Sequence, residues 1–143
     1  MKTKELSWPK VSFVVCTYNC PDHIKRCFGS INYQDYPKDK VEILALDGGS
    51  TDDSKEIAKK MGARVIHNPK KLPEGKGRGK WLGFKKARGE VVVFLDSDNK
   101  LVEKDWIKQM VKPIITDEEV NFCICRMAVV KRDSLTNRYL SLI

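Results

Sequence analysis

Short runs of apolar and β-branched residues alternate along this chain with segments that carry apolar residues at helical spacing. The four runs lie at 11–16, 41–46, 63–67 and 90–95, and each is followed by a polar residue or a turn, which is typical of strands. Strands that alternate with helices form a mostly parallel sheet with helices on both faces. The sequence therefore predicts an α/β fold in a single domain.

The first two predicted helices have clear boundaries. The helix at 21–34 has Asp22 as its expected N-cap, and its apolar residues follow the spacing i, i+3, i+4, i+7 at Ile24, Cys27, Phe28 and Ile31. The second helix begins after Ser50 or Thr51, either of which can serve as N-cap, and it is expected to stop at Gly62.

Two further helices are predicted at about 79–88 and at 103–113, the second of them ending at Pro113. The segment 68–80, rich in proline, glycine and lysine, is predicted to be a loop. The run at 120–125 predicts a fifth strand. Residues 127–143 could hold an edge strand and a short helix.

The composition is that of an ordinary soluble globular chain. The 143 residues suffice for one domain with a core, and 41% apolar with 32% charged residues excludes a disordered chain. No apolar run approaches the roughly 20 residues of a membrane span, and the N-terminus has no apolar region of a signal peptide. We therefore expect a cytoplasmic location, with the inner face of the membrane as a further possibility. Five cysteines, an odd number without Cys-x-x-Cys spacing, predict neither a disulfide framework nor a zinc site.

The positive charge is concentrated in one segment. Residues 70–88 contain eight basic residues and one acidic residue, which is +7 of the chain's net +8. A local cluster of this kind fits a single polyanionic ligand better than the long footprint of a nucleic-acid duplex. A compact nucleic-acid patch stays open as the alternative.

A polar segment lies at the end of each of the first four predicted strands. The segments are Thr17-Tyr18-Asn19, Asp47-Gly48-Gly49, His67-Asn68 and Asp96-Ser97-Asp98. In open α/β sheets, ligands bind outside the carboxyl ends of the strands. We therefore expect these four segments to converge on one edge of the sheet and to form the functional site.

Asp96 and Asp98 place two carboxylates at i and i+2 directly after an apolar run. In extended backbone such side chains point the same way, and like charges so close together favour a cation between them. Carboxylates on a short turn suit Mg²⁺ or Mn²⁺, which usually bind through one or two carboxylates together with substrate phosphates. The alternative is a structural turn in which Asp96 caps the residues that follow.

Two more segments have a functional and a structural interpretation. Gly75, Gly77 and Gly79 alternate with basic residues, which could form a phosphate-binding backbone or only a solvated basic loop. Asp47 could accept hydrogen bonds from a nucleobase or a ribose hydroxyl, or could belong to a turn before the second helix.

Taken together, these segments resemble the family-two glycosyltransferases, which have the Rossmann-like nucleotide-sugar-binding fold called GT-A. The matching stretches are VSFVVCTYN, VEILALDGGSTDD and GKGRGKWLGFKKARGEVVVFLDSDN, within residues 11–112. The resemblance implies a UDP- or GDP-linked sugar donor, Mn²⁺ or Mg²⁺, and inversion at the anomeric carbon with a carboxylate as base for the acceptor. The metal would act as a Lewis acid toward the departing nucleoside diphosphate.

The resemblance also implies roles for individual residues. The donor would be bound by Thr17, Tyr18, Asn19, Asp47, Lys80 and Asp96, and the metal by Asp96 and Asp98. Three positions depart from the family pattern, since Gly48, Trp81 and Cys16 stand where an acid, an asparagine and a proline are common. The departure at Gly48 bears on the assignment of Asp47 to the base.

The family's acceptor half and its catalytic base lie after the Asp-x-Asp pair. We therefore expect 1–143 to be a single nucleotide-sugar-binding domain that lacks the acceptor-binding half, with no catalytic base to name. The acceptor, whether a glycan, a lipid-linked group or a protein, is not predicted. The alternatives are a basic nucleic-acid-binding module and a metal-dependent nucleotidyltransferase.

Overall fold

A computed structural model describes residues 7–68 and 75–124. Its centre is a four-stranded sheet in the order β3-β2-β1-β4, in which every pairing is parallel. The strands are β1 Val11–Thr17, β2 Val41–Asp47, β3 Arg64–His67 and β4 Val91–Asp96. The four strands predicted from the apolar runs are all present.

Helices cover both faces of the sheet, as predicted for an α/β fold. They are α1 Pro21–Asn32, α2 Ser54–Lys60, α3 Gly75–Lys86 and α4 Trp106–Thr116, with a short 3-10 helix at Lys38–Lys40. Helices α1, α2 and α4 contribute to the core on one face, and α3 packs on the other.

The larger core lies between the sheet and α1, α2 and α4. The four apolar residues predicted for one face of α1 are all buried there, against alternate residues of β1 such as Phe13 and Val15. Side chains of this size each contribute about 1.5–3 kcal/mol when they are removed from water. This burial positions α1, whose first turn faces the carboxyl ends of the strands.

The smaller core lies beneath α3, and its tight packing depends on two glycines. A Cβ on Gly79 would lie 2.8 Å from the Cys16 sulfur, and a Cβ on Gly83 would collide with the side chain of Val14. The loop was predicted up to residue 80 and the helix from about residue 79, but the helix already begins at Gly75, so the loop prediction was wrong for residues 75–78. Gly79, one of the glycines that suggested a flexible loop, instead lets the helix approach the sheet closely.

The N-cap residues predicted for α1 and α2 were both wrong. Helix α1 begins at Pro21, so Asp22 lies inside its first turn, where it pairs with Lys25 at 3.2 Å. Helix α2 begins at Ser54, and neither residue proposed as its N-cap occupies that position. The Ser50 hydroxyl instead accepts a hydrogen bond from the Asn19 N–H in the loop after β1 and donates to Asp47, and the contact with Asn19 is a tertiary one that local sequence does not contain. The stop at Gly62 is confirmed, because its positive φ of 85° is the conformation that ends helices.

The chain after β4 also differs from the prediction. Helix α4 begins at Trp106 rather than 103 and continues through Pro113 to Thr116, because a proline in the last turn removes only one helical hydrogen bond. The fifth strand is not formed in the part of 120–125 that the structure describes, where Phe122 and Ile124 are exposed. A strand requires a neighbouring strand to which its backbone is hydrogen-bonded, and no described strand pairs with this segment. The elements suggested for 127–143 lie outside the described residues.

Within the described ranges, no helix is long and apolar enough to cross a membrane.

Candidate functional site

The strand register brings the predicted polar segments together. Thr17 of β1 pairs with Asp47 of β2, which in turn pairs with His67 of β3, and Cys16 of β1 pairs with Asp96 of β4. The strand that follows β1 in the chain, β2, lies on one side of β1 in the sheet, and β4 lies on the other side. The gap between β1 and β4 is therefore a topological switch point, where open α/β sheets bind their ligands.

A cleft of about 330 Å³ opens at this switch point. Four predicted site residues line it, namely Tyr18, Asn19, Asp96 and Asp98. Four residues without a predicted role complete the lining, namely Cys16, Cys20, His23 and Ser97. Each of these four lies at a strand end or in the first turn of α1. Their position in the sequence could have indicated that they line the site, but their residue types gave no reason to select them as site residues.

Asp96 and Asp98 both face the cleft from the end of β4. The Lys80 ammonium lies 3.3 Å from a carboxylate oxygen of Asp96, so α3 contributes a cation to the same site. Within 7–68 and 75–124, no group of three or more histidine, cysteine or acidic side chains is placed to hold a metal ion. Two hard carboxylates fit a cation such as Mn²⁺ or Mg²⁺ that takes its other ligands from water and phosphate.

Asp47 is buried and does not line the cleft. Its carboxylate accepts hydrogen bonds from the backbone N–H groups of Gly49 and Ser50, both at 2.9 Å, and from the Ser50 hydroxyl. Both oxygens are therefore used in shaping the loop after β2, as in the structural interpretation of this segment. A role of Asp47 at the base stays a prediction.

The loops after β1 and β2 are joined by hydrogen bonds. Asn19 has a positive φ of 43°, a conformation that asparagine tolerates, and its backbone N–H donates to the Ser50 hydroxyl at 3.0 Å. The Asn19 side-chain oxygen accepts the N–H of Thr51 at 2.9 Å, and the Thr17 carbonyl accepts the N–H of Gly48 at 2.9 Å. Thr17 itself is buried beneath the cleft. These bonds hold Tyr18 and Asn19 in place at the cleft wall.

The thiols near the cleft differ in environment. Cys16 and Cys20 are half-buried at the cleft, and the Cys20 sulfur lies 3.9 Å from the Ser97 hydroxyl. Burial is the main cause that raises the pKa of Cys27, and together with the nearby Asp98, Cys20 and Asp96 it raises that pKa to about 12. Cys27 is therefore a neutral core thiol at physiological pH.

Comparison with known proteins identifies the family. The family model described as Glycosyl transferase family 2 matches residues 12–141. The chain belongs to this family. Over 131 residues it is 34% identical to the putative glycosyltransferase EpsH of Bacillus subtilis. The match covers 88% of this chain and 36% of EpsH.

Two solved glycosyltransferase structures show the same fold. TarS 1-349 of S. aureus in complex with UDP matches with a TM-score of 0.72 at 27% identity, covering 88% of this chain and 38% of that TarS chain. The mannosyltransferase PcManGT of Pyrobaculum calidifontis, in complex with GDP-Man and Mn²⁺, matches with a TM-score of 0.62 at 26% identity. That match covers 69% of this chain and 30% of PcManGT. The family-2 chain is thus a GT-A α/β domain, and it spans less than half the length of each of these relatives.

Proposed function

We propose that this family-2 chain binds a UDP- or GDP-linked sugar together with Mn²⁺ or Mg²⁺ and serves as the donor-binding part of an inverting glycosyltransferase. The observation that carries the proposal is the cleft at the β1–β4 switch point, where two carboxylates and a lysine from three separate positions meet. UDP in TarS, and GDP-Man with Mn²⁺ in PcManGT, support the same ligand class.

The residues divide into a metal side and a nucleotide side. Asp96 and Asp98 would hold the cation, which when bound supplies Lewis-acid stabilisation of charge on the departing diphosphate. Lys80, within 3.3 Å of Asp96, is placed to attract a phosphate oxygen and to offset the repulsion between the two carboxylates. Charge balance therefore favours a cation and a diphosphate bound together over either one alone.

The nucleotide side is the wall formed by the loop after β1. Tyr18 is half-exposed there and offers a ring to the base or ribose, beside the amide of Asn19. Thr17 and Asp47 support this wall from below, because both are buried and bonded to the neighbouring loop. A direct contact of either residue with the nucleotide would require the loop to open.

The acceptor and the catalytic base are not assigned to residues of this chain. We propose that residues 1–143 supply donor binding. Deprotonation of the acceptor hydroxyl needs a carboxylate base as well.

The test is a thermal-shift measurement with UDP, GDP and their sugar conjugates, each with and without Mn²⁺. At a ligand concentration 100 times the Kd, binding stabilises the folded state by about 2.7 kcal/mol. We expect a rise in Tm that requires both nucleotide and metal, and its loss in Asp98→Asn. The matched control is Asp22→Asn, which neutralises an exposed aspartate on α1 outside the cleft lining. A rise that is independent of metal, or equal in the two variants, would contradict the proposal.

A further inference from the structure

The outer side of α3 exposes two large aromatic side chains. Trp81 is 60% exposed and Phe84 is 49% exposed, and their rings stack with centroids 5.9 Å apart. The Lys85 ammonium lies 5.0 Å from the centroid of the Trp81 ring. Neither ring belongs to the core or to the cleft lining, so the fold and the proposed function leave them unexplained.

Phe94 of β4 lies on the same flank of the molecule. Gly79 packs on Cys16 and Gly83 on Val14, so α3 runs opposite to the strands. Lys80 of α3 and Asp96 of β4 form an ion pair. Phe84 follows Lys80 by one helical turn, about 6 Å along α3. Phe94 precedes Asp96 by two residues, about 6.6 Å along β4, and because α3 runs opposite to the strands the two displacements have the same direction. Phe94 is also 49% exposed, so three exposed aromatic residues lie on one flank.

Two basic residues lie on the same side of α3 as Trp81. Arg78, Trp81 and Lys85 follow the spacing i, i+3, i+7, and Arg78 and Lys85 are exposed. The sequence from 75 to 88 contains no acidic residue. We call Arg78, Trp81, Phe84, Lys85 and Phe94 the basic aromatic surface. Lys80, by contrast, turns toward the cleft.

We propose that the basic aromatic surface docks on an anionic lipid membrane. Tryptophan and phenylalanine rings bordered by lysine and arginine suit the headgroup region, where the rings enter the boundary of the acyl chains and the cations meet lipid phosphates. Protein interfaces are also rich in tryptophan, phenylalanine and arginine, but they are poor in lysine, and Lys85 lies over the Trp81 ring within this surface. Single-stranded nucleic acid stacks its bases on open ring faces, whereas Trp81 already has Phe84 stacked on it and Lys85 over its ring.

Docking in this way would place the cleft beside the membrane. Helix α3 has 12 residues, and Lys80 in its middle contacts Asp96 at the cleft. The cleft therefore lies within about 10 Å, half the length of such a helix, of the docked surface. This inference does not rest on nucleotide binding, because no lining residue of the cleft belongs to the basic aromatic surface.

The charge arm of the test is sedimentation of the protein with lipid vesicles. We expect binding to vesicles of phosphatidylcholine with phosphatidylglycerol, little binding to pure phosphatidylcholine, and weakening as salt is raised. The double variant R78E/K85E should bind at least roughly tenfold more weakly, since each basic residue near an anionic surface contributes about 1 kcal/mol. The matched control is K59E/K60E, which reverses two adjacent exposed lysines at the end of α2.

The aromatic arm uses tryptophan fluorescence on the same vesicles. A blue shift on binding is expected, and Trp81→Ala should abolish it, because Trp8 and Trp106 pack against the core instead. Phe84→Ala should weaken binding, while Phe122→Ala, which removes a 76% exposed ring elsewhere, should not. Circular dichroism checks that each variant is folded.

Three outcomes would overturn the inference. They are equal binding to neutral vesicles, equal loss in K59E/K60E and R78E/K85E, and binding to single-stranded DNA with no binding to vesicles. The metal-dependent nucleotide shift is measured separately in R78E/K85E and should be unchanged. A failure of the membrane inference is therefore distinguishable from a failure of the proposed function.

Discussion

Asp47, at the end of β2, and Asp98, just after β4, are aspartates in opposite physical situations. Asp47 is buried and accepts three hydrogen bonds from the loop that follows it, whereas Asp98 is exposed in the cleft. A buried carboxylate with its bonds satisfied stabilises the fold, and its removal leaves backbone N–H groups without partners. An exposed carboxylate has little effect on stability, and the role we propose for Asp98 is in binding.

We therefore expect Asp47→Ala to lower the free energy of unfolding by about 2–3 kcal/mol, because two buried N–H groups and a hydroxyl lose their acceptor. Asp98→Ala should change it by less than about 0.5 kcal/mol. Urea denaturation of the two variants measures the difference. Similar losses of stability in both would show that Asp98 also has a structural role.

Among the helices, α3 makes a different kind of contact on each of its sides. Gly79 and Gly83, four residues apart, face the sheet and allow close approach, while Lys80 reaches the cleft from between them. The outer side of the same helix carries Trp81 and its stacked neighbour. The position of Lys80 at the cleft thus depends on how closely the helix lies on the sheet.

Replacing Gly83 by alanine should lower the free energy of unfolding by about 1–3 kcal/mol, because the new methyl group meets the side chains of Val14 and Leu46. The matched control is Gly77→Ala in the same helix, where a Cβ meets nothing within 4 Å. It should instead stabilise the protein by about 0.5–1 kcal/mol through helix propensity. Thermal unfolding of both variants checks the prediction, and a stable Gly83→Ala would show that α3 can shift away from the sheet without cost.

In the molecule as a whole, the two ends of the sheet are used differently. The carboxyl ends of the strands form the cleft, and the amino-terminal part holds a bonded group centred on Glu42 of β2. Its carboxylate accepts hydrogen bonds from the Ser12 hydroxyl at 2.6 Å, the Arg88 N–H at 3.0 Å and the Arg64 guanidinium at 3.0 Å. One side chain thereby joins β1, β2, β3 and the segment between α3 and β4.

Burial alone would raise the pKa of Glu42, but the hydrogen bonds from Ser12 and Arg88 and the charge of Arg64 outweigh it and lower the pKa below its ordinary 4.5. A lowered pKa means that the ionised form stabilises the fold above pH 4.5, and that this contribution is lost as the pH falls through the lowered value. We expect Glu42→Gln to be less stable than the natural chain by about 1–2 kcal/mol at pH 7.

Urea denaturation between pH 7 and pH 3 measures this, and the difference between the two proteins should shrink toward the acid end. Metal-dependent nucleotide binding at pH 7 should be unchanged, since Glu42 lies at the opposite end of the sheet from the cleft. A constant difference at every pH would show that the charge of Glu42 does not contribute.

Much of the site's location could be predicted before any coordinates. Parallel strands share one carboxyl edge, so polar residues directly after four strands had to meet there, and Tyr18, Asn19, Asp96 and Asp98 do line one cleft. Thr17 and Asp47 occupy the same edge but are buried, because the direction of a side chain depends on loop hydrogen bonds that local sequence does not contain.

The alternation of β-branched runs with helical periodicity determined the α/β class, the four strands and the edge that holds the site, since these follow from backbone geometry and local apolar spacing. Tertiary contacts determined the rest: the strand order that opens the cleft beside Asp96, the helical rather than looped state of residues 75–78, and the exposure of Trp81 on the outer side of α3. Each of these depends on which distant residue lies opposite, and no local pattern in a sequence specifies that.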